Sequence, residues 1–251
     1  MQGFPYMEID VIMLTKNSNK PWFKRVLSAI KREIPVHHFI VVDGFSSDGT
    51  LDVIRNYFKD NVIIVQTKRP LGFARYIGMK LVDTEWFAFI DSDVEILPGW
   101  FETARRYISM PRVLGVQGVF TNSNNLYPSR NSDIKAETIK PLRKILRKQL
   151  LFHGFYSWGG ADTGHVLLHK LVRELIEPCV LAKLHCGEDL YLAQSIIQRG
   201  YYYIRVNDMR AIHYGRETLG KATQRLKAEN GILLYLNPVD YMLYSWFRMI
   251  A

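Results

Sequence analysis

The chain is organised around one stretch, Glu85-Trp-Phe-Ala-Phe-Ile-Asp-Ser-Asp-Val-Glu95. Its apolar run from Trp86 to Ile90 has the length of a strand and is typical of one buried on both faces. Two carboxylates, Asp91 and Asp93, follow directly. Acids this close repel each other unless a cation lies between them, and hard divalent cations prefer carboxylate oxygens. The stretch predicts a metal site at the end of a central strand, although Asp-Ser-Asp is also common turn chemistry.

The composition indicates an ordinary globular protein. With 251 residues, of which 48% are hydrophobic, the chain can bury the core of one large domain or two small ones. No segment approaches the length of a membrane-spanning helix, and the first residues lack the apolar region of a signal peptide. The two cysteines, Cys179 and Cys186, have no metal-ligand spacing around them. We therefore expect reduced thiols and a cytoplasmic location.

The net charge of +9, from 33 basic and 24 acidic residues, favours a polyanionic partner. A nucleotide diphosphate, a nucleic acid and an anionic membrane surface all fit this description. Charge alone does not choose among them.

Strand and helix patterns alternate over the first hundred residues. Buried strands are predicted at Ile9–Leu14, Phe39–Val42 and Val62–Val65, ahead of the central strand, and helical apolar spacing separates them. This alternation predicts an α/β fold with a mostly parallel central sheet, flanked by helices and joined by right-handed crossovers.

Polar residues gather where the predicted strands end, which is where open parallel sheets bind ligands. Thr15 and Asn17 follow the first strand, Asp43 the second, and a basic loop leading to Arg75 the third. The simpler alternative is that loops are polar everywhere. No G-x-G-x-x-G or G-x-x-x-x-G-K-[ST] sequence occurs, which argues against a dinucleotide dehydrogenase and a P-loop NTPase.

The second half is less regular. A strand is predicted at Val113–Phe120, and residues 121–135 form a long polar loop. Gly187-Glu188-Asp189 opens a periodic helix, where the helix dipole alone would favour two acids. A strand at Tyr201–Val206 and a second short apolar run, Met209–His213, follow.

Two stretches suggest contact with a membrane. In residues 141–152 four basic side chains lie opposite an apolar face, and the tail from Ile232 to Ile250 is apolar and aromatic. The basic residues are Arg143, Lys144, Arg147 and Lys148. Such segments can hold a protein reversibly at an anionic membrane face. They are equally typical of helices that pack on a core.

Motifs in a fixed order give the sequence a family resemblance. They are Thr15 and Asn17, Val41-Val42-Asp43, Ser46-Ser47-Asp48-Gly49-Thr50, Arg75 with Gly78, Asp91-Ser92-Asp93, Pro98-Gly99-Trp100, Glu188-Asp189 and His213. Over roughly residues 9–215 they resemble those of the family 2 glycosyltransferases, whose catalytic domain has the glycosyltransferase A fold. That fold joins a Rossmann-like nucleotide-binding half to an acceptor-binding half.

The resemblance implies a role for each matching residue. It implies nucleotide-sugar binding by Thr15, Asn17, Asp43, Arg75, Asp91 and Ser92, with Asp43 at the nucleobase. It implies that Asp93, Asp91 and His213 hold Mn²⁺ or Mg²⁺. It implies that Asp189 is the catalytic base and that Glu188 orients the base or the acceptor.

The resemblance also implies an activity and a division of the chain. One sugar moves with inversion from a UDP- or GDP-sugar to a hydroxyl acceptor, which is a glycan, a polyprenyl phosphate or a lipid-linked sugar. Residues 1–251 form one catalytic domain, with a donor half at 7–120, an acceptor half at 121–215 and a helical tail at 216–251. We expect it in the cytoplasm, with peripheral contact to the inner face of the membrane, and without a nucleic-acid partner.

Several positions depart from the family pattern. Gly44-Phe45 stands where Asp-Gly is usual, which puts base recognition in doubt, and Tyr76 replaces an asparagine. The segment from Gly72 to Arg75 is short. The Gln-x-x-Arg-Trp signature of processive synthases does not occur, which favours transfer of a single sugar.

Two other classes remain open at this stage. A sugar-1-phosphate nucleotidylyltransferase also uses a parallel sheet and a metal, but residues 15–20 lack the glycines its first turn needs. A basic nucleic-acid-binding protein would concentrate its charge in one stripe with stacking aromatics. Here the basic residues are dispersed, apart from residues 143–148.

Overall fold

The computed structural model describes residues 7–121 and 162–215. The strands are β1 Ile9–Thr15, β2 Val36–Asp43, β3 Val62–Gln66, β4 Trp86–Ile90, β5 Val94–Ile96, β6 Val113–Phe120, β7 His165–His169 and β8 Tyr202–His213. The helices are α1 Phe23–Glu33, α2 Thr50–Phe58, α3 Leu71–Lys80, α4 Trp100–Ile108, α5 Pro178–Leu181 and α6 Glu188–Gln198. Short 3₁₀ turns cover Lys59–Asn61 and Lys170–Leu175.

All eight described strands form one mixed sheet, in the order β3-β2-β1-β4-β7-β6-β8-β5. The first four are parallel neighbours, and β6 and β8 are also parallel to each other. Strand β7 runs antiparallel between β4 and β6, and β5 runs antiparallel to β8 at the edge. The predicted α/β fold with a mostly parallel sheet is confirmed.

Helices cover both faces of this sheet, so that the central strands are buried on either side. Helices α1, α2 and α4 pack on one face through residues such as Phe23, Ile54 and Trp100. Helices α3 and α6 pack on the other through residues such as Met79 and Leu192. This double burial explains why β4, with all five residues buried, reads as an unbroken apolar run rather than an alternating one.

The structure adds to the predicted elements in four places. Strands β5 and β7 were not predicted, and the two runs expected between Tyr201 and His213 form the single strand β8. The sequence from Lys170 to Ile176 also has a helix-like pattern, and the structure shows a 3₁₀ turn at Lys170–Leu175.

Several expectations concern residues outside the described ranges. They are the long loop from residue 122, the basic helix at 141–152 and the C-terminal tail. Within the described ranges, none of the helices combines the length and the apolar character needed to cross a bilayer.

Candidate active site

Three polar residues lie side by side at the carboxyl ends of β1, β2 and β3. Thr15 pairs with Asp43, and Asp43 pairs with Gln66. Asp43 is fully buried. Its Oδ1 accepts hydrogen bonds from Thr15 Oγ1 at 2.8 Å and Ser46 Oγ at 2.5 Å. Its Oδ2 accepts from the Ser46 amide and Gln66 Nε2, both at 2.9 Å. Burial opposes ionisation, but the bonds from Ser46, Gln66 and Thr15 outweigh it and lower the pKa of Asp43.

Asn17 ties the loop after β1 to the loop after β2. Its amide donates to Ser46 Oγ at 2.8 Å, and its side-chain oxygen accepts from the Ser47 amide at 2.9 Å. The neighbouring Phe45 has a left-handed backbone with φ 61°, and half of its surface is exposed. Lys68 Nζ lies 5.3 Å from the centre of its ring. A glycine is usual at this position of the family motif because a left-handed backbone favours it.

Arg75 joins two segments that are far apart in sequence. Its Nη2 lies 3.1 Å from Asp91 Oδ1, at the end of β4, and its Nε lies 3.0 Å from Glu188 Oε1, at the start of α6. The Arg75 and Glu188 side chains are both about 95% buried, with 4% and 5% exposed. Burial alone would lower the pKa of Arg75, but the charges of Asp91 and Glu188 outweigh it and raise that pKa. The guanidinium is therefore permanently charged.

Asp93 and His213 come together through the pairing of β5 with β8, in which Val94 lies opposite His213. Their Oδ2 and Nε2 atoms are 3.3 Å apart. The hydrogen bond to Asp93 is the main reason why the pKa of His213 is raised, against the opposing effect of burial. The Phe120 ring stacks on the imidazole at 5.2 Å. A side chain at Gly215 would collide with both Asp93 Oδ2 and His213 Nε2, so the glycine keeps this corner open.

Ser92, between the two acids, links them to the loop after β1. Its Oγ lies 2.9 Å from Ser18 Oγ, and the Ser18 amide donates to Thr50 Oγ1 at 2.8 Å. The polar ends of β1, β2 and β4 thus form one hydrogen-bonded edge.

Asp162 is a further acid of this site that the sequence analysis did not single out. Its amide donates to Gln117 Oε1 at 3.0 Å, and its Oδ1 accepts from the Gly164 amide at 2.5 Å. Burial, reinforced by the charge of Asp91, raises its pKa. The available signal was a lone acid in the glycine-rich run Gly159-Gly160-Ala161-Asp162-Thr163-Gly164.

Asp189 occupies the first turn of α6, after Gly187. Burial, and then the charges of Glu188 and Asp162, raise its pKa to about 8. Its carboxylate accepts a hydrogen bond from the Leu190 amide at 2.8 Å. The two acids of the pair are therefore in different environments, since Glu188 is neutralised by Arg75 whereas Asp189 lies beside other carboxylates.

Carboxyl groups outnumber basic side chains among the described residues of this region. Five carboxylates interact with two cationic side chains, Arg75 and His213. The carboxylates belong to Asp91, Asp93, Asp162, Glu188 and Asp189. An excess of carboxylate oxygen with one imidazole is chemistry that suits a hard divalent cation. Asp91, Asp93 and His213 thus offer donor types that suit Mn²⁺ or Mg²⁺, and Asp93 and His213 are already 3.3 Å apart. Among the described residues, however, the three ligand atoms that lie within 4.8 Å of one another belong to Asp10, His37 and His38.

The family model for glycosyl transferase family 2 matches residues 10–164, which is more than half of the chain. The chain belongs to this family. The family 2 resemblance drawn from the ordered motifs is confirmed. No curated protein gives a significant match.

Solved structures of glycosyltransferases share the fold of this family 2 member. The S. aureus TarS fragment 1–349, in complex with UDP-GlcNAc, aligns with a TM-score of 0.64 at 15% identity, covering 92% of this chain and 68% of that one. Glucosyl-3-phosphoglycerate synthase from Mycobacterium tuberculosis, in complex with Mn²⁺, UDP and phosphoglyceric acid, gives 0.63 at 17%, covering 91% and 78%. The mannosyltransferase PcManGT from Pyrobaculum calidifontis, in complex with GDP-Man and Mn²⁺, gives 0.62 at 17%, covering 90% and 62%.

At these identities the likeness concerns the fold. The family 2 chain spans only 40% of the longer TarS structure.

Proposed function

We propose that this family 2 glycosyltransferase moves one sugar from a UDP- or GDP-sugar to a hydroxyl acceptor, with inversion and with a divalent metal. The bridge that Arg75 makes between Asp91 and Glu188 is the observation that carries the proposal. It joins the acid motif of the donor half to the acid pair of the acceptor half. Both substrates of a transfer reaction need to meet at such a junction.

The donor nucleotide binds along the ends of β1, β2 and β4. Thr15, Asn17 and Ser92 hold the loops there through the hydrogen bonds described above. Asp43 already accepts four hydrogen bonds, which is the capacity of a carboxylate. A nucleobase that bonds to Asp43 must therefore replace one of these protein donors.

Asp93 would hold the metal, together with Asp91 and His213. When bound, the ion supplies positive charge that stabilises the leaving nucleotide diphosphate. Arg75 holds Asp91 in place through their ion pair, so that this carboxylate is oriented to act as a ligand. We assign Arg75 to positioning, because both of its contacts are with protein carboxylates.

Asp189 acts as the general base. It takes the proton of the acceptor hydroxyl while the hydroxyl oxygen bonds to the anomeric carbon and the bond to the phosphate oxygen breaks. One carboxylate is enough for this single displacement, which inverts the anomeric centre. The raised pKa of Asp189 makes it a stronger base than an exposed aspartate. Glu188 fixes Arg75 and through it the position of the pair.

A thermal-shift screen tests the proposal, because a ligand that binds only the folded state raises the melting temperature. UDP- and GDP-sugars are added with and without Mn²⁺ or Mg²⁺. We expect one nucleotide class to raise the melting temperature only when metal is present. The anomeric configuration of the product, read by NMR, then tests inversion. If no nucleotide sugar shifts the melting temperature with either metal, the proposal is wrong.

We also propose that the acceptor is a glycan, a polyprenyl phosphate or a lipid-linked sugar at the cytoplasmic face of a membrane. The support is sequence alone, since residues 143–148 and the tail lie outside the described ranges. Sedimentation with anionic vesicles is expected to weaken with salt and when Arg143, Lys144, Arg147 and Lys148 are changed to Glu. If the protein does not sediment with the vesicles at low salt, this proposal is wrong.

A further inference from the structure

The opposite edge of the sheet carries a second group of metal-binding residue types. Asp10 is fully buried near the start of β1, and His37 and His38 are consecutive near the start of β2. One ligand atom from each of the three lies within 4.8 Å of the other two. Asp10 and Thr15 are five residues apart on β1, so this edge is about 16 Å from the candidate active site.

A bulge in the sheet brings the two histidines together. Ile9 pairs with Val36 and Val11 with Phe39, so one residue of β1, Asp10, lies opposite two residues of β2. Consecutive residues of a regular strand point to opposite faces, but the two imidazole rings here are only 4.0 Å apart. Bulges are rare between parallel strands, and they re-aim side chains.

Asp10 is held in place by the backbone. Its Oδ1 accepts from the His38 amide at 3.0 Å, and its Oδ2 accepts from the amides of Asp83 and Thr84 at 2.7 and 3.0 Å. A carboxylate oriented by backbone amides in this way resembles the supported ligands of metal sites.

The imidazole of His38 points at this carboxylate without bonding to it. Its Nδ1 lies 3.3 Å from Asp10 Oδ1, yet it is buried and has no hydrogen-bond partner among the described residues. Two further acids are close. Glu8 Oε2 is 3.3 Å from His37 Nδ1, and Asp83 Oδ2 is 3.8 Å from His38 Nδ1.

We propose that Asp10, His37 and His38 bind one zinc ion, with Glu8 or Asp83 as a further oxygen ligand. Ligands at tetrahedral zinc are about 3.4 Å apart. The pair formed by His38 and Asp10 already has this spacing, and the His37 ligand atom lies within 4.8 Å of both. Two imidazoles with carboxylate oxygen favour zinc over Mg²⁺ or Mn²⁺. The ion joins β1, β2 and the turn before β4, and its role is structural.

Zinc titration by calorimetry tests the site, in an Asp93→Ala background that removes competing binding at the candidate active site. We expect one zinc per chain. His37→Ala and His38→Ala should each weaken binding at least tenfold, and the exposed His185→Ala should leave it unchanged. With Asp93 intact, His37→Ala should retain the transferase rate. Equal affinity in all variants, or no zinc binding at all, would overturn the proposal.

The unmutated protein provides a test that does not depend on how the variants fold. Diethyl pyrocarbonate modifies accessible histidines, and mass spectrometry locates the modified residues. His37 and His38 are 39% and 29% exposed, so the reagent can reach them. We expect zinc to slow their modification at least fivefold, with no effect at His185. If zinc does not protect them, the cluster is an ion-pair network and the proposal is wrong.

Discussion

Asp43 and the acids around Asp91 lie at the same edge of one sheet, but their surroundings shift carboxyl pKa values in opposite directions. Asp43 is surrounded by hydrogen-bond donors, and its pKa is lowered. Asp162 and Asp189 are buried beside other carboxylates. Both burial and those charges raise their pKa values. The first carboxylate is satisfied by the folded chain itself. The second group has fewer donors around each carboxylate, and its members raise one another's pKa.

This difference separates a structural part of the site from a chemical part. An acid that folding satisfies contributes stability, and removing it weakens the protein. Acids that crowd one another cost stability in the free protein and are retained for what they bind. Substitutions should therefore change stability in the first region and activity in the second.

The largest effect is expected for Asp93→Ala. Metal-dependent binding of the nucleotide sugar should be lost, and with it the transferase activity, because the principal metal ligand is gone. The melting temperature should change little, because the variant loses the contact with His213 and at the same time relieves repulsion among the neighbouring carboxylates. Calorimetry with nucleotide sugar and Mn²⁺ measures the binding. Unchanged metal-dependent affinity would show that Asp93 does not hold the metal.

Asp189→Asn preserves shape and removes the base. We expect a loss of about 10²- to 10⁴-fold in kcat, with donor affinity almost unchanged. In the unaltered enzyme, kcat/KM should rise with pH, reach half of its maximum near pH 8 and level off above that, because the base must lose its proton and its pKa is about 8. The variant should lack this rise. Near-normal turnover of Asp189→Asn would rule out the role.

The same variant should also alter the pH dependence of stability. The pKa of Asp189 is raised in the folded protein, so the folded state keeps a proton that the unfolded chain loses. The free energy of unfolding should therefore fall as pH rises from about 4 to about 8. Asparagine does not titrate, so the stability of the Asp189→Asn variant should not fall in this way. At pH 8.5 the variant should therefore have a higher melting temperature than the unaltered protein. Equal melting temperatures at that pH would contradict the raised pKa.

A smaller effect, on stability rather than chemistry, is expected for Asp43→Ala. Thr15, Ser46 and Gln66 lose their acceptor. The buried Thr15 hydroxyl, left without a partner, costs about 1–3 kcal/mol, whereas the exposed Gln66 amide can bond to water instead. Urea denaturation measures the loss. Asp43→Asn is the matched control, because its amide oxygen still accepts from Ser46 and Gln66 while its amide group donates to hydroxyls. If the two variants are equally stable, the hydrogen bonds are not what holds this carboxylate.

The smallest effect is expected at Phe45, where a left-handed backbone costs a residue with a side chain about 1–2 kcal/mol. Phe45→Gly relieves this cost, and Phe45→Ala retains it while losing the contact with Lys68. The glycine variant should therefore be about 1 kcal/mol more stable than the alanine variant in urea. The opposite order would show that this conformation is not strained.

The parts of the fold that depend on local pattern could be predicted from sequence. Strand β4 and its acids were found because an apolar run followed by Asp91 is a local signal. Strands β5 and β7 were missed because three and five residues carry little periodicity, and because both are fixed by antiparallel partners distant in sequence. Such pairing is decided by tertiary structure.

The candidate site divides in the same way. The ordered motifs pointed to the acids, but the partners of those acids came only from the structure. Arg75 was expected near phosphate, and the structure shows it between two carboxylates, one of them 113 residues away. Asp162 was overlooked because a lone acid beside glycines has no spacing that marks it. The bulge opposite Asp10 likewise has no signal in the order of residues.

Because Asp91 and Glu188 share Arg75 as their counter-ion, the end of β4 and the start of α6 are electrostatically coupled. Whatever neutralises Asp91 leaves more of the guanidinium charge to Glu188, and the field at Asp189 changes with it. Thermodynamic linkage makes this influence reciprocal. An acceptor that alters the charge near Glu188 must change the affinity for the donor by the same factor as the donor changes the affinity for the acceptor. If the two proposed substrates bind beside these acids, one buried arginine couples their affinities.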